Sequence, residues 1–427
     1  MEEIDDSKLK ALLRGNHKIY VHGSASTPHC LLEMLRETFS EEMNICLYHM
    51  ELNGEVFLFD KSIPLPKGLK DYSLFVGSNA RESLQLGRTN YIPIFLSEIP
   101  WLLRTHIHPD ITFINVSSPD EKGFVSLGPT IEGTKVAIEE SKYIIAQIND
   151  EIPRTFGDAT LSMDRITHFI KCDQKPDFAR REPLDSVDRK IGEIVSSLIP
   201  DGAAIQAGIG KIPDAAMGFL KDRKHLGIHT ELLSDGMIEL VQSGAVDNTM
   251  KATDRYHITA TFSKGEEKLF DFMDDNPMIL MKSVEYTNDT SVIRQNPLAH
   301  SINSAVEVDL TGQVSAESIG TKIISGVGGQ MDFVRGSSLS PGGKSIIAMR
   351  AATKNGKSKV VPVLTLGAGV TTTRNHVQFV ITEYGIADLR GKSIHSRIDE
   401  MISIAEPSQR PFLLEEAKKL YNYGDSV

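Results

Sequence analysis

The chain has 427 residues, enough for two or three domains at about 100–200 residues each. Hydrophobic residues make up 40% and charged residues 24%, the balance of a globular protein rather than a disordered one. Lys+Arg of 46 against Asp+Glu of 57 leaves a net charge of −11. That excludes a general nucleic-acid binder, which needs basic surface, but not a small polyanion held by local cations and backbone N–H groups. Three cysteines (Cys30, Cys46 and Cys172) imply neither a disulfide framework nor a metal pair. The N-terminal stretch is acidic without an apolar core, so no secretory signal is expected. The longest apolar run, Val360–Val370, contains Pro, Gly and Thr and falls far short of the roughly 20 residues of a membrane span. A cytoplasmic protein of a reducing compartment, without membrane partners, is expected.

Taken in chain order, the apolar run Lys18–Gly23 predicts a strand and Pro28–Phe39 a helix. Tyr72–Gly77, Ile111–Ser117 and Tyr143–Asn149 predict further buried strands. Cys172–Asp188 is polar, holds two prolines and has no period, which marks a linker. Beyond it come helical patterns at Val187–Leu198 and Asp214–Lys221, and strands at Leu226–Thr230, Lys359–Leu366 and Val377–Glu383. The alternation predicts an α/β protein with largely parallel sheets. Its expected division is a domain over 1–171, a linker over 172–188 and a second domain over 189–427.

An internal repeat sharpens this. Gly23-x4-Pro28 aligns with Gly208-x4-Pro213, and Tyr48-His49-Met50-Glu51 with Ile228-His229-Thr230-Glu231. Gly123–Ser126 then matches Gly312–Ser315, and Ser141-Lys142 matches Ser358-Lys359. Matches in one order predict two similar open α/β domains with a cleft between them, where ligands meet the carboxyl ends of the strands.

Four segments carry candidate chemistry. In Ala203–Leu220 an apolar strand runs into Gly208-Ile209-Gly210 and then Pro213, a loop whose backbone can approach a ligand closely. It lacks the third glycine of a dinucleotide fingerprint. Glu231 follows the strand Leu226–Thr230, 21 residues after Gly210, which is one βαβ step and places both on neighbouring strand ends. From Ile323 to Lys359, Gly326, Gly328 and Gly329 precede Arg335, Lys344, Arg350 and Lys354, the glycine-plus-cation composition that a phosphate-rich tail needs. Glu383, in Thr382-Glu-Tyr-Gly385, is a competing nucleophile or base. No spacing suits zinc, and neither a nucleophile elbow nor a Walker loop is present. His106 and His108 would share a strand face, without a third ligand.

Gln206–Gly210, His229-Thr230-Glu231, Val306–Val314, Ser325–Gly336 and Thr382–Ala387 together resemble the acetyl-CoA hydrolase/transferase family. Ser118–Gly128 and Pro153–Asp158 extend the resemblance over nearly the whole chain. It implies two domains of the CoA-transferase type, and a coenzyme A transferase acting on 4-hydroxybutyryl-, butyryl- or acetyl-CoA with a carboxylate acceptor such as acetate. It also implies a thioester-forming glutamate at Glu231 and CoA contacts from Gln206, Ala207, Gly208, Ile209, Gly210, Val306, Gly326, Gly328, Gly329 and Lys354. Coenzyme A is then a cosubstrate, with no tightly bound cofactor, no metal, and a homo-oligomer based on a dimer.

Carboxylate and thiolate are already anionic, so such chemistry needs no general base, and the Gly208–Gly210 amides would hold the developing oxyanion. An acetyl-CoA hydrolase would use the same residues and admit water. A non-catalytic nucleotide- or sugar-phosphate-binding regulator would leave Glu231 without a role. The repeat offers Glu51 as an internal rival, and the richer glycine content of the second half favours Glu231.

Overall fold

The computed structural model describes residues 1–208 and 210–424. Two compact units divide the chain. The first takes Met1–Arg180, His257–Thr287 and Ile324–Gly328, and the second takes Arg181–Tyr256, Asn288–Ile323 and Gly329–Val427. The first break lies inside the expected linker. The expected continuous domain over 189–427, however, gives up 257–287 and 324–328 to the first unit. Backbone pairing is the reason. Phe156 and Gly157 pair in parallel with Leu280 and Met281, and the Ile131 N–H donates to Thr261 O at 2.7 Å.

In the first unit eight strands form one sheet: β1 (Glu2–Glu3), β2 (Gly15–Val21), β3 (Met43–His49), β4 (Leu69–Ser73), β5 (Thr89–Tyr91), β6 (Ile111–Val116), β7 (Tyr143–Ile148) and β8 (His168–Lys171). Their order is β1-β8-β7-β6-β2-β3-β4-β5, parallel throughout. All six residues of β6 are buried, as a strand covered on both faces requires. Helix α1 (His29–Thr38) joins β2 to β3 and buries Leu31, Leu32 and Leu35 on one face.

The second unit has a six-stranded sheet of β9 (Ala204–Ala207), β10 (Gly227–Ile228), β11 (Ala299–Asn303), β12 (Lys344–Ala348), β13 (Phe379–Thr382) and β14 (Gly385–Asp388). Their order is β10-β9-β11-β12-β13-β14, with only the last strand antiparallel. Helix α2 (Ser186–Ser197) leads in with a capping box at Asp185 and Asp188, and α3 (Lys211–Gly218) joins β9 to β10.

The order β3-β2-β6-β7-β8 in one unit thus recurs as β10-β9-β11-β12-β13 in the other. Gly23 and Gly208, His49 and His229, and Glu51 and Glu231 occupy equivalent places, as the repeat predicted. The fourth match does not hold. Tyr143 opens β7, whose counterpart is β12, whereas Ser358-Lys359 leads into the two-residue strand Val360–Val361, which pairs with Val308–Asp309 outside the main sheet. The long strand expected over Lys359–Leu366 stops there because Pro362 cannot donate to a ladder. His106 lies in the helical turn Leu103–Ile107 rather than on a strand.

The cysteine expectation also needs correction. Cys30 and Cys172 form a disulfide with Cα atoms 6.6 Å apart, while Cys46 is free. Their 142-residue separation carries no sequence signal. The pairing arises because Cys30 follows the carboxyl end of β2 and Cys172 that of β8, on the same side of one parallel sheet.

Candidate active site

In the second unit, β9 has β10 on one side and β11 on the other, so the chain leaves it in opposite directions at a topological switch point. The residues at that point are tightly paired. Gln206 and Asn303 exchange amide hydrogen bonds at 3.2 Å each, joining β9 to β11. A Cβ on Gly208 would lie 3.1 Å from Asn303 Oδ1, and the Gly208 N–H donates to Ile302 O at 2.9 Å. The sheet therefore consumes the Gly208 donor, which removes it from the oxyanion role expected above. Gly210 caps α3 with φ of 131°, a conformation that favours glycine. Ile209 lies outside the described residues.

β10 is an edge strand of two residues, yet the glutamate follows it three residues on. Two side chains stand where another strand would be. The Ile228 N–H donates to Asn248 Oδ1 at 2.9 Å, and Ile228 O accepts from Lys251 Nζ at 2.8 Å. Gly227 makes this possible, since a Cβ there would meet Lys251 Cγ at 2.5 Å. Burial pushes the Lys251 ammonium down to about 7, against the opposing charge of Asp254. The next residue, His229, ties back to Ile205 O through its backbone N–H at 3.2 Å.

Glu231 emerges from this clamp. Its carboxylate accepts hydrogen bonds from the Gly329 backbone N–H and from Asn288 Nδ2, the latter at 3.1 Å. Asn288 also donates to Asp332 Oδ2 at 3.2 Å, which fixes the amide between two carboxylates. Gly329 caps helix α4 (Gln330–Leu339), with Asp332 in the first turn. The residue keeps some exposed surface, but its carboxyl group is desolvated, and this burial pushes its pKa up to about 7. The Asn288 bond opposes the shift, the Asp332 charge adds to it, and the Gly329 bond opposes it. Folding thus takes up a proton between about 4.5 and about 7, and the ionised carboxylate costs stability above that window.

The other expected contacts divide. Ala207 closes β9, Val306 follows β11 with its N–H on Ser315 O at 2.8 Å, and Gly329 touches Glu231. Gly326 and Gly328 belong to the first unit, where a Cβ on Gly326 would strike Phe75 at 2.6 Å and Gly328 O accepts from the Leu96 N–H. The cationic segment after them is regular structure. It is α4, then β12, then a hairpin closed by the Ala352–Ser358 bridge. Lys344 donates to Leu198 O, and Arg350 binds Asp185 and Asp188. Lys354 sits exposed on the hairpin tip. Glu383 Oε2 accepts the Ala351 N–H at 2.9 Å and so anchors the base of that hairpin.

Asn288 and Asp332 were missed by sequence reasoning. Asp332 had a signal, standing three residues after Gly329 where a helix begins. Asn288 had none. In the first unit, Glu51 has a different neighbour, since both its oxygens bind Lys264 Nζ at 2.9 and 3.1 Å. Among the described residues, no cluster of His, Cys, Asp and Glu could hold a metal ion.

Comparison with known proteins gives two family matches, the acetyl-CoA hydrolase/transferase N-terminal domain over residues 4–179 and its C-terminal domain over 265–417. A succinyl-CoA:acetate/propanoyl-CoA:succinate CoA transferase of Fasciola hepatica is 44% identical over 411 residues, covering 95% of this chain and 85% of that protein. The chain belongs to the acetyl-CoA hydrolase/transferase family. A 4-hydroxybutyrate coenzyme A transferase of Clostridium kluyveri is 40% identical over 428 residues, covering 98% of this chain and 99% of that one. RipA from Yersinia pestis superposes with a TM-score of 0.92 at 29% identity over 98% of each chain. The family resemblance and the paired α/β architecture expected from sequence both hold.

The geometry makes Gly329 the tightest point of this family member's site. A Cβ there would lie 1.9 Å from Glu231 Oε2 and 2.1 Å from Asn288 Nδ2, although φ of −99° suits any residue. Gly329→Ala is expected to leave the fold cooperative but to displace both side chains. Turnover should fall at least about 100-fold, roughly 3 kcal/mol, with thermal unfolding little changed. Activity within a few-fold of wild type would show that Glu231 does not work in this position.

Proposed function

We propose that this chain is a coenzyme A transferase that moves CoA from a short-chain acyl-CoA to a carboxylate acceptor, with Glu231 as the nucleophile. The range of acyl groups is that of 4-hydroxybutyryl-, butyryl- and acetyl-CoA, with acetate as acceptor. The observation that supports the reading is the Glu231 carboxylate, desolvated yet held by two neutral donors rather than by a cation. Such a group keeps its basicity and therefore its nucleophilicity.

Glu231 attacks the acyl carbonyl and expels CoA thiolate, leaving an acyl-glutamyl anhydride. The thiolate then attacks the glutamyl carbonyl, releases the acid and leaves a glutamyl-CoA thioester, which the acceptor carboxylate reverses by the same two steps. The Gly329 N–H and Asn288 Nδ2 already point at the glutamyl oxygens and serve as the oxyanion donors when that carbonyl becomes tetrahedral. They replace the Gly208–Gly210 pair in this role. Gln206, Ala207, Gly208, Ile209, Gly210, Val306, Gly329 and Lys354 are the proposed CoA contacts, with CoA as cosubstrate and no tightly bound cofactor. Gly326 and Gly328, expected in the same set, lie in the first unit beside Phe75 and Leu96.

We place the enzyme in the cytoplasm as a homo-oligomer. Ile319, Val363, Leu366 and Val370 are exposed apolar residues on two segments that meet where Gly320 approaches Leu366 O, the kind of patch a second copy covers.

Incubation with acyl-CoA alone should give an enzyme–CoA adduct at Glu231, read by intact-protein mass spectrometry. Glu231→Gln should abolish the adduct and cost at least about 10³-fold in turnover, some 4 kcal/mol. Glu51→Gln should keep the adduct and stay within roughly tenfold, about 1.4 kcal/mol, because Glu51 is held by Lys264. An adduct that survives Glu231→Gln sinks the assignment. A hydrolase would release CoA from acyl-CoA without an acceptor, so the same incubation separates the two readings.

Only the ionised carboxylate attacks. The rate of adduct formation should therefore climb with pH to a plateau, with an apparent pKa near the value of about 7 that burial gives Glu231. A profile flat from pH 5 to 9 would contradict this.

Lys354→Ala should raise KM for acyl-CoA and leave KM for the acceptor unchanged. A charge-assisted contact worth about 1.5–3 kcal/mol predicts roughly a 10- to 150-fold loss. An effect confined to the acceptor would move Lys354 to the acid side.

A further inference from the structure

We propose that Cys30 and Cys172 are a reversible oxidation site, closed by exchange with an external disulfide, that fastens the chain leaving β8 to the first unit. Neither cysteine belongs to the machinery around Glu231, so the inference stands apart from the transferase reading. Disulfides in reducing compartments are usually transient or regulatory.

The pair is held in register by bonds that do not involve sulfur. Gln147, fully buried on β7, accepts the Cys30 N–H through Oε1 at 3.1 Å and donates through Nε2 to Cys172 O at 3.2 Å. The Cys172 N–H donates to Ile148 O at 3.0 Å. Asn149 clasps the backbone of Gln174 on both sides, at 2.8 and 3.1 Å, and His29 Nε2 meets Asp177 Oδ2 at 2.7 Å. Opening the S–S bond leaves the two thiols facing each other, so the site closes again without refolding.

Reactivity has its own basis. Cys30 lies in the first turn of α1, at the positive end of the helix dipole. Both cysteines are only partly buried and line an open cavity of about 570 Å³. Glu33, Glu37 and Glu55 line it too. These carboxylates disfavour an anionic disulfide and favour a cationic or neutral one.

The chemistry is a two-electron exchange. Cys30 thiolate attacks one sulfur of R–S–S–R, forming Cys30–S–S–R and expelling RS⁻. Cys172 thiolate attacks the Cys30 sulfur of that mixed disulfide, forming the Cys30–Cys172 bond and expelling a second RS⁻. The protein is oxidised, the external disulfide is reduced, and the two protein thiol protons end on two R–SH.

The test uses the full-length enzyme, cystamine as a cationic disulfide and oxidised glutathione as an anionic one. After cystamine, the denatured protein should titrate one thiol, from Cys46, and after dithiothreitol all three. Glutathione disulfide should react at least tenfold more slowly. Trypsin cleavage at Arg180, on the tethered segment, should be several-fold faster in the reduced form. Cys172→Ser should be cut at the reduced rate under both conditions and should trap a cysteamine adduct on Cys30. Three thiols remaining after cystamine, a mixed disulfide that never resolves in the wild type, or equal cleavage of the two forms would each overturn the proposal.

Discussion

A carboxylate removed from water gives up hydration worth several kcal/mol, and a protein ordinarily restores it with a cation. Around Glu231 the compensation comes from one backbone N–H and one side-chain amide, both neutral, with a second carboxylate behind the amide. That arrangement keeps the group proton-hungry, and it requires a backbone approach that only glycine permits at position 329. The rest of the second unit bears on this one contact. The sheet delivers β10, α4 presents its N-terminal turn, and the segment at Asn288 supplies the amide.

An edge strand is a weak support for the proposed nucleophile, because half its hydrogen-bonding groups face away from the sheet. Here Asn248 and Lys251 serve as a substitute strand at Ile228, three residues before the glutamate. The lysine stem can cross the strand because Gly227 has no side chain. Burying Lys251 carries a penalty, seen in its depressed pKa, and the second unit sustains that penalty where the chain turns toward Glu231. Rigidity at this point is physically useful, since a carboxylate that drifts by an ångström loses alignment with the carbonyl it attacks.

Much of this was legible in the sequence, and the limits are specific. The βα turns at Gly23 and Gly208 and the equivalent glutamates could be read because apolar strands, glycines and helix starts are local signals. β11 and β12 carry no clear strand signal in the sequence. β11 contains His300, Ser301 and Asn303 between its apolar residues, and β12 begins at Lys344, so neither shows a clean apolar run. Lys344 and Arg350 contribute to a composition that suits a phosphate-rich tail, because sequence cannot reveal that Leu198 O and the Asp185/Asp188 pair already engage them. Asn288 and the Cys30–Cys172 bond depend on contacts between distant segments and left no local trace.

The duplication shows why partner chemistry, not position, separates the two glutamates. Glu51 and Glu231 follow equivalent strands and equivalent histidines. In the first unit His49 binds the buried Asp71 at 2.9 Å; burial works against its charge, but Asp71 outweighs it and raises the pKa. Glu51 lies 2.9 Å from an ammonium that spans both its oxygens. An ammonium stabilises the carboxylate as an anion, and the same stabilisation must be surrendered when the oxygen attacks a carbonyl and becomes neutral. In the proposed mechanism neutral donors demand no such surrender, because the N–H groups that hold the carboxylate would also hold the oxyanion that follows it. Equivalent places in the two units therefore hold their carboxylates differently: one in an ion pair with Lys264, and one desolvated between neutral donors, the difference on which the proposed assignment of Glu231 rests.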